Sequence, residues 1–185
     1  VNPRAIVVGS ESYDEIYDGA EHSFGKPTVS TSFDYSPIAD NQRIVVTTYP
    51  SVIDYTESAI TNKLGYYIED ASGNDVTSNY QITENWGTLN VQKRPLSYYT
   101  ESYDEMYDGQ MHTFEIVIEN EDTVFDGMAF EPQPLYFAIS LEDYTPEPVK
   151  NDVELSLYDE SLTVDLSHNF DMTRTSVGTI NIRKR

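Results

Sequence analysis

Cysteine is absent from the 185 residues of the chain. Its absence excludes disulfide bonds, thiolate metal ligands and a cysteine nucleophile together. It does not distinguish a cytosolic protein from an exported one, because many surface proteins also lack cysteine. Long apolar runs are absent too, since none approaches the roughly 18 residues by which a membrane-spanning helix is recognised. The sequence therefore predicts no membrane insertion.

Basic residues are scarce. The chain has 11 Lys and Arg against 32 Asp and Glu, which gives a formal net charge of −21. Such a charge repels the phosphates of nucleic acid and anionic membrane surfaces, so no nucleic-acid partner is predicted. The hydrophobic fraction of 38% and the aromatic fraction of 12% are nevertheless high enough for packed cores. A disordered acidic chain would have much less of both.

Helical periodicity and catalytic motifs are also missing. No window of about 11 residues places apolar side chains at helical spacing. No Gly-x-Ser-x-Gly, phosphate-binding loop or His-rich metal pattern occurs. Tryptophan occurs once and tyrosine 15 times, a choice that suits strands with one buried face and one wet face.

One stretch of the chain occurs twice. Residues 11–19 read Glu-Ser-Tyr-Asp-Glu-Ile-Tyr-Asp-Gly, and residues 101–109 repeat them with Met in place of Ile. A His-x-Phe tripeptide follows at the same offset in both copies, at residues 22–24 and 112–114. A fixed period of 90 residues indicates two homologous units in tandem.

A second shared pattern closes each unit. Residues 75–94 and residues 165–185 share an Asp, an Asn-aromatic pair, an apolar-Thr pair and a Gly-Thr-apolar-Asn segment. The two units are therefore predicted to be β repeat domains at residues 5–94 and residues 95–185. Residues 1–4 have the apolar-x-x-basic pattern that ends the first unit, so we expect them to be the tail of a preceding repeat.

Short β-rich runs separated by turn signals fill both units. The Asp-Gly pairs at residues 18–19 and 108–109 predict turns in which glycine has a positive φ. Alternation within the first motif places Tyr13 and Tyr17 on one face of a strand and Ile16 on the other. The predicted strands are residues 5–8, 22–24, 28–33, 43–49, 63–68, 80–83 and 88–91, and then 95–99, 112–118, 135–141, 153–158, 170–173 and 179–182.

About seven short strands per unit, with turn signals every 8–12 residues or so, are typical of a β-sandwich. The predicted fold is all-β, with two tandem antiparallel immunoglobulin-like β-sandwich domains. The last two strands of each unit are predicted to form a hairpin. The alternative is a β-grasp-like unit with one short helix, for which the irregular stretch of residues 51–61 leaves room.

The order of these motifs resembles a known family. An early Tyr-Asp-Gly, then Asp-Val-Thr-Ser-Asn-Tyr at residues 75–80, then Ile-Thr and Gly-Thr-Leu-Asn-Val-Gln-Lys-Arg within residues 82–94, is similar to the tandem YDG-type repeats of bacterial cell-surface adhesins. The likeness covers both units. The second unit departs from it at residues 165–170, where Leu and Ser replace Val and Thr. The resemblance implies extracellular display as part of a longer wall-anchored protein, and it transfers no catalytic residue.

The repeated acidic motif is a candidate calcium site, because Ca²⁺ prefers carboxylate oxygens. Adjacent residues of a strand point to opposite faces, however, and no D-x-D-x-D-G loop is present. A solvated strand followed by an Asp-Gly turn is favoured, so no metal and no cofactor is predicted. The acids concerned are Asp14, Glu15 and Asp18 in the first copy and Asp104, Glu105 and Asp108 in the second.

Histidine is the remaining catalytic candidate. His22 and His112 are equivalent, and His168 lies elsewhere in the repeat. A repeated histidine beside a strand phenylalanine is typical of a structural position. Carboxylate spacing along the chain does not identify a glycosidase pair either. We therefore predict that the protein is not an enzyme and has no catalytic residue.

An internal Lys–Asn isopeptide crosslink is a further device of surface sandwiches. It needs a buried lysine and an asparagine near the last strand. Asn90 and Asn181 are repeated there, but Lys26 and Lys63 have no basic counterpart in the second unit. The crosslink is therefore not predicted.

The single tryptophan has two readings. Trp86 aligns with Val177, directly before a glycine that both units share. An apolar residue at the same place in both copies indicates a core-facing position. A sugar-stacking platform of Trp86 and tyrosines is the alternative.

Two functions follow from these patterns. The first is a stiff spacer or stalk in an adhesin array, whose partners are neighbouring repeats of the same chain. The second is an adhesive module that binds a host or microbial glycan or protein through the divergent segments at residues 32–49 and 124–141. The predicted linker, residues 93–95, is too short to be loose. Its basic pair, Lys93 and Arg94, either bridges the acidic units or is solvated.

Overall fold

The computed structural model describes residues 2–185, except for the side chains of residues 122 and 123. The chain forms two compact units. Unit 1 consists of the residues up to Ile16 together with Ala20–Gln92, and unit 2 consists of Tyr17–Gly19 and Lys93–Arg185. Val1, part of the expected tail of a preceding repeat, lies outside the described residues.

Short strands make up unit 1, and the first of them begins at Arg4, one residue before the predicted start. They are β1 (Arg4–Ser10), β2 (Tyr13–Ile16), β3 (His22–Ser23), β4 (Pro27–Ser30), β5 (Arg43–Thr48), β6 (Ser51–Val52), β7 (Ile60–Thr61), β8 (Gly65–Glu69), β9 (Tyr80–Asn85) and β10 (Thr88–Gln92).

Unit 2 repeats this order, and only Lys93 separates its first strand from β10. Its strands are β11 (Arg94–Thr100), β12 (Tyr103–Met106), β13 (His112–Phe114), β14 (Ile116–Ile118), β15 (Gln133–Leu135), β16 (Ile139–Leu141), β17 (Val149–Asn151), β18 (Ser156–Tyr158), β19 (Phe170–Ser176) and β20 (Gly178–Arg183).

Helical structure is minor throughout the described residues. One short helix, α1 (Glu121–Val124), lies in unit 2, and one 3₁₀ turn occurs in each unit, at Thr77–Asn79 and Ser167–Asn169. The stretch at residues 51–61 contains β6 and β7 and no helix. The all-β prediction is confirmed, and the small sheets are those of a β-sandwich-type fold.

The two main sheets of each unit are mixed rather than wholly antiparallel. Their strand orders are β4-β1-β9 and β2-β10-β7 in unit 1, and β14-β11-β19 and β12-β20-β17 in unit 2. In each of these three-stranded sheets one pair is parallel and the other is antiparallel, and the parallel pairs are β1–β9, β2–β10, β11–β19 and β12–β20. The expectation of purely antiparallel pairing is therefore wrong for one of the two strand pairs in each of these sheets.

The predicted hairpin of the last two strands is also wrong in both units, and in unit 2 β19 pairs with β11 and β20 pairs with β12. β9 pairs with β1 and β10 pairs with β2, so the chain crosses from one sheet to the other at Trp86-Gly87. The first two strands make the same crossing at Glu11-Ser12. Two crossings in the same direction make both pairs parallel, and a two-residue connection therefore resembles a hairpin turn without forming one.

Two smaller sheets complete each unit. They are β3-β6 and β5-β8 in unit 1, and β13-β16 and β15-β18 in unit 2. The single strand predicted at residues 135–141 is therefore two strands that pair with different partners. Its break falls at Tyr136–Ala138, within which Phe137 is 89% exposed.

The core of each unit is built from alternate strand residues. Ile6, Val8, Ile68 and Tyr80 form a buried cluster in unit 1, and Phe114, Ile180 and Ile182 form one in unit 2. The shared motif follows the predicted alternation in the first copy, where Tyr17 is 1% exposed and Ile16 is 49% exposed. Both turn glycines have a positive φ, 77° at Gly19 and 75° at Gly109, as predicted.

Candidate functional site

The repeated acids join neighbouring strands. Asn90 Nδ2 donates to Asp14 Oδ1 at 2.7 Å, and Gln92 Nε2 donates to Asp14 Oδ2 at 2.8 Å. These hydrogen bonds, that from Gln92 first, lower the pKa of Asp14. In the second copy Asn181 Nδ2 donates to Asp104 Oδ1 at 2.9 Å. The equivalent acids thus have the same use, which is to accept an amide from the adjacent parallel strand.

The candidate calcium ligands do not converge. Asp14 is exposed whereas Glu15 is half-buried, as expected for neighbours that point to opposite faces of β2. The main-chain carbonyl of Asp18 accepts a hydrogen bond from Ala129 N at 2.7 Å. Among the described residues, no group of three or more His, Asp or Glu side chains is placed to hold a metal ion.

The repeated histidines contact aromatic rings. His112 Nε2 lies 3.0 Å from Asp108 Oδ1 and 3.3 Å from the Tyr103 hydroxyl. The main-chain amide of Gln110 and the His112 side chain lower the pKa of Asp108. His22 lies 6.2 Å from Tyr13, ring centroid to ring centroid. This arrangement closes the Asp-Gly turn of unit 2 onto its strand.

His168 and the crosslink candidates lie elsewhere. His168 is in the 3₁₀ turn Ser167–Asn169. Asn90 accepts a hydrogen bond from the Thr56 hydroxyl at 2.8 Å while it donates to Asp14. Lys63 Nζ instead lies 3.0 Å from Glu84 Oε2.

Trp86 is partly buried against the unit 1 core. Its ring meets Tyr66 edge-on with centroids 5.9 Å apart, and its Nε1 donates to Glu84 Oε2 at 3.0 Å. The core-facing prediction is therefore correct for the body of the ring. It is wrong for Val177, which is 40% exposed.

A buried asparagine, missed at the sequence level, sits at the sheet crossing of each unit. Asn62 and Asn151 are both 0% exposed. Asn62 Nδ2 donates to Glu11 O at 3.2 Å, and Asn151 Nδ2 donates to Glu101 O at 3.0 Å. Neither Oδ1 has a hydrogen-bond partner. The two asparagines are 89 residues apart rather than 90, which hides them from a search at one fixed period.

Each crossing also depends on the shared glycine. A Cβ on Gly87 would lie 2.3 Å from Glu11 O, and a Cβ on Gly178 would lie 2.0 Å from Glu101 O. Gly87 N donates to Ser10 Oγ at 3.1 Å. The glycine is therefore required by the close approach of two main chains.

A pair of exposed aromatic rings lies in the divergent segment of unit 1. Phe33 and Tyr35 stack with centroids 5.4 Å apart and planes 4° apart. They are 56% and 37% exposed. The Tyr35 hydroxyl donates to Ala5 O at 3.2 Å, and the Arg4 guanidinium lies 4.5 Å from the Tyr35 centroid. Tyr35 is thus fixed to β1, and Phe33 stacks on a fixed ring.

Equivalent arginines hold the divergent segments in both units. Arg4 Nε donates to Ser36 O at 3.1 Å, and Arg94 Nη2 donates to Asp126 O at 2.6 Å. Arg94 also donates to Val124 O. The expectation that Arg94 is a solvated charge is therefore wrong, since its guanidinium is engaged by main-chain carbonyls.

Two cavities flank the ring pair. One of about 530 Å³ includes Tyr35 in its wall, and one of about 320 Å³ includes Phe33. The first has both polar and apolar surface in its wall, and its lining residues are Asn2, Pro3, Arg4, Tyr35, Ala39, Gln42, Asn79 and Tyr80. The second is lined by Ala5, Ile6, Val7, Thr31, Ser32, Phe33, Gln81 and Thr83.

None of the helices in the described part of the chain is long and apolar enough to cross a membrane. Comparison of the chain with protein-family models, with curated proteins and with solved structures gives no match.

Proposed function

We propose that the chain is a non-catalytic, extracellular repeat module of a bacterial surface protein. In this proposal the module acts as a stiff spacer in an adhesin array, anchored to the cell wall through a longer protein. The observation that carries the proposal is that both units use their repeated polar residues for internal hydrogen bonds. Asp14 and Asp104 accept hydrogen bonds from side-chain amides of the adjacent strand. Asn62 and Asn151 donate to main-chain carbonyls where the chain passes from one sheet to the other.

Internal use of the repeated residues supports a structural role. A pattern repeated for catalysis or metal binding places its polar groups around a shared point, whereas a pattern repeated for folding places them between strands. Two acids of the shared motif lie on a strand of a parallel pair in each unit, Asp14 and Glu15 on β2 and Asp104 and Glu105 on β12. The residues repeated in the sequence are therefore those that hold the strands of each unit together.

The connection between the units supports stiffness. Lys93 is the single residue between β10 and β11. Pro95 follows within β11, where its ring fixes φ. No Gly or Ser residue is present at this joint, and such residues are what make a linker behave as a flexible coil.

Distance measurements between spin labels test the spacer proposal. Because the chain lacks cysteine, two labels are placed cleanly with Asp40→Cys and Glu160→Cys, both at exposed positions. We expect one narrow distance distribution, and a broad one in a control with a nine-residue Gly-Ser insertion after Gln92. Equal widths in the two proteins would contradict the proposal.

Small-angle scattering supplies the second readout. A spacer should keep its maximum dimension between low and moderate salt, because short-range chain geometry, not screened charge, sets the joint. A maximum dimension that falls strongly when salt is raised would indicate that charge repulsion alone extends the chain.

The second candidate function, an adhesive module, is favoured by one observation. The stacked pair Phe33 and Tyr35 is exposed and lies beside two cavities. Binding residues are often carried by loops on a rigid scaffold.

A further inference from the structure

We propose that unit 1 binds a neutral oligosaccharide on the surface formed by Phe33, Tyr35 and the polar side chains in the wall of the adjacent 530 Å³ cavity. This inference rests on the adhesive candidate and is independent of the spacer proposal. One sugar ring would stack on Phe33, and the hydroxyls of another sugar of the same chain would bind Asn79 and Gln42, which line the cavity beside Tyr35.

The ring pair has the form of a prepared stacking surface. Phe33 is more than half exposed although exposure of a large apolar ring to water is unfavourable. Its partner ring is held by the Ala5 carbonyl and by Arg4, so little side-chain freedom remains to be lost on binding. The main-chain amide of Phe33 also donates to Thr31 Oγ1 at 3.2 Å, which fixes the segment locally.

The polar wall suits hydroxyl groups. Tyr80 donates from its hydroxyl to Gln42 Oε1 at 2.7 Å, and this bond orients the Gln42 amide so that Nε2 is left as a donor. Asn79 is exposed and supplies a second amide with both donor and acceptor atoms. A cavity of about 530 Å³ lies within the size range of small-molecule sites.

The net negative charge of unit 1 favours a neutral ligand over an anionic one. The described residues of unit 1 contain 12 Asp and Glu against 4 Lys and Arg. Arg4, the basic residue of the cavity wall, is engaged by Tyr35 and by the Ser36 carbonyl. Sialylated, sulfated or phosphorylated ligands would therefore be repelled without a free cation to compensate.

The site belongs to unit 1 alone. Arg94 takes the place of Arg4 in unit 2, but the segment that it holds forms α1 (Glu121–Val124) instead of an aromatic turn. The same anchor thus presents different surfaces in two otherwise repeated units. Such divergence on a common frame is what a binding surface requires.

The test uses the whole 185-residue chain on a microarray of neutral, sialylated and sulfated glycans, followed by titration of the strongest neutral hit. We expect binding to neutral glycans, weakened at least about tenfold by Phe33→Ala, as for an anchoring ring. Asn79→Ala should weaken glycan binding and leave the stacked pair of Phe33 and Tyr35 in place. Phe137→Ala, which removes the most exposed large hydrophobic side chain of unit 2, is the matched control and should bind like the natural chain.

Several outcomes would overturn the inference. They are absence of any neutral hit, preference for anionic glycans, equal binding by Phe33→Ala, or selective binding of a proline-rich peptide in parallel titrations. Thermal melts of each variant show whether weaker binding comes from the altered binding surface or from unfolding of the protein. The narrow distance distribution expected of the spacer would persist in every one of these cases, so failure here leaves that proposal standing.

Discussion

Asn151 donates a hydrogen bond from its side-chain amide to the main-chain carbonyl of Glu101 at 3.0 Å, in a position that no solvent reaches. The bond ties β17 to the connection between β11 and β12. Asn62 makes the equivalent bond in unit 1. A buried carbonyl without such a partner is costly, so this amide is expected to fix where the chain changes sheets.

Replacing this amide should destabilise unit 2. Asn151→Asp removes the donor and, at neutral pH, buries a carboxylate against the Glu101 carbonyl. We expect a loss of at least about 2 kcal/mol at pH 7, measured by urea unfolding. Burial raises the pKa of the introduced carboxyl above its unfolded value. The loss should therefore shrink as pH falls through that raised pKa, because the neutral acid carries no burial penalty for charge.

The control for this variant is Asn41→Asp. Asn41 is exposed and has a φ of 59°, a conformation that Asp tolerates. It should change stability little at either pH. A stability loss for Asn151→Asp that is independent of pH would contradict the assigned role of charge burial.

The shared glycine of the crossing should be more sensitive than a turn glycine. A Cβ on Gly178 would lie 2.0 Å from Glu101 O and 2.6 Å from Thr100 O, both main-chain atoms. We expect Gly178→Ala to cost about 2 kcal/mol or more, the range of overpacking in a closed site. Gly127→Ala is the comparison, because Gly127 has a φ of 73° but open space around it. Equal losses in the two variants would show that the close approach is not rigid.

The frame of the fold could be predicted from the sequence because it is repeated. Alternation and turn chemistry are local properties of the chain, and they predicted the all-β class and the positive φ of Gly19 and Gly109. The partners of the last strands could not be obtained in this way. Trp86-Gly87 has the length of a hairpin turn, but the chain crosses there because β9 pairs with β1 and β10 with β2, far away in the sequence, and Gly87 packs closely on Glu11.

The candidate site could not be predicted from the sequence for a similar reason, because its contacts join residues that are far apart in the chain. Phe33 and Tyr35 are separated by one residue, and the Tyr35 ring of this stacked pair contacts Arg4, which is about 30 residues away in the chain. The sequence predicts that Arg4 belongs to the tail of a preceding repeat, because residues 1–4 share the apolar-x-x-basic pattern that ends the first unit. Its contacts, and those of Arg94, exist only once β1 and β11 lie beside the divergent segments.

The turn glycine of the second motif should require its conformation. Gly109 has a φ of 75°, and the nearest atom to an added Cβ is the Tyr107 hydroxyl at 3.8 Å. Gly109→Val therefore isolates backbone strain, and we expect a loss of more than about 1 kcal/mol. Gly109→Asn should recover part of it, since Asn enters this region more readily. Unchanged melting temperatures for the valine variant would contradict the requirement.

Asp159 should titrate far below an ordinary aspartate. Its carboxylate accepts hydrogen bonds from the Ser161 hydroxyl and from the main-chain amides of Val164 and Thr163. These bonds, that from Ser161 first, lower the pKa of Asp159 to about 2. A lowered folded pKa stabilises the fold above the unfolded value of about 3.9, and this contribution is lost as pH falls toward about 2.

Carboxyl chemical shifts followed by NMR between pH 1.5 and 6 or so would measure this titration. Ser161→Ala should raise the pKa of Asp159 toward its ordinary value, whereas Ser161→Thr keeps a hydroxyl and should raise it less. An ordinary pKa in the natural chain would show that the loop bonds do not persist in solution.

Arg94 should not be replaceable by lysine. Its guanidinium donates to the main-chain carbonyls of Val124, Tyr17 and Asp126, all within unit 2. A lysine has one charged nitrogen on a flexible stem and cannot reach three carbonyls in a planar fork. We expect Arg94→Lys to destabilise unit 2 by about 1.5–3 kcal/mol, the scale of hydrogen bonds made by a charged group.

Amide hydrogen exchange measures the loss of stability within unit 2 alone, because two units need not unfold together. Protection should fall at Val117 in β14 and remain unchanged in a control, Arg185→Lys, whose side chain is exposed. Equal protection in both variants would show that charge near this point is sufficient and that the fork geometry is not needed.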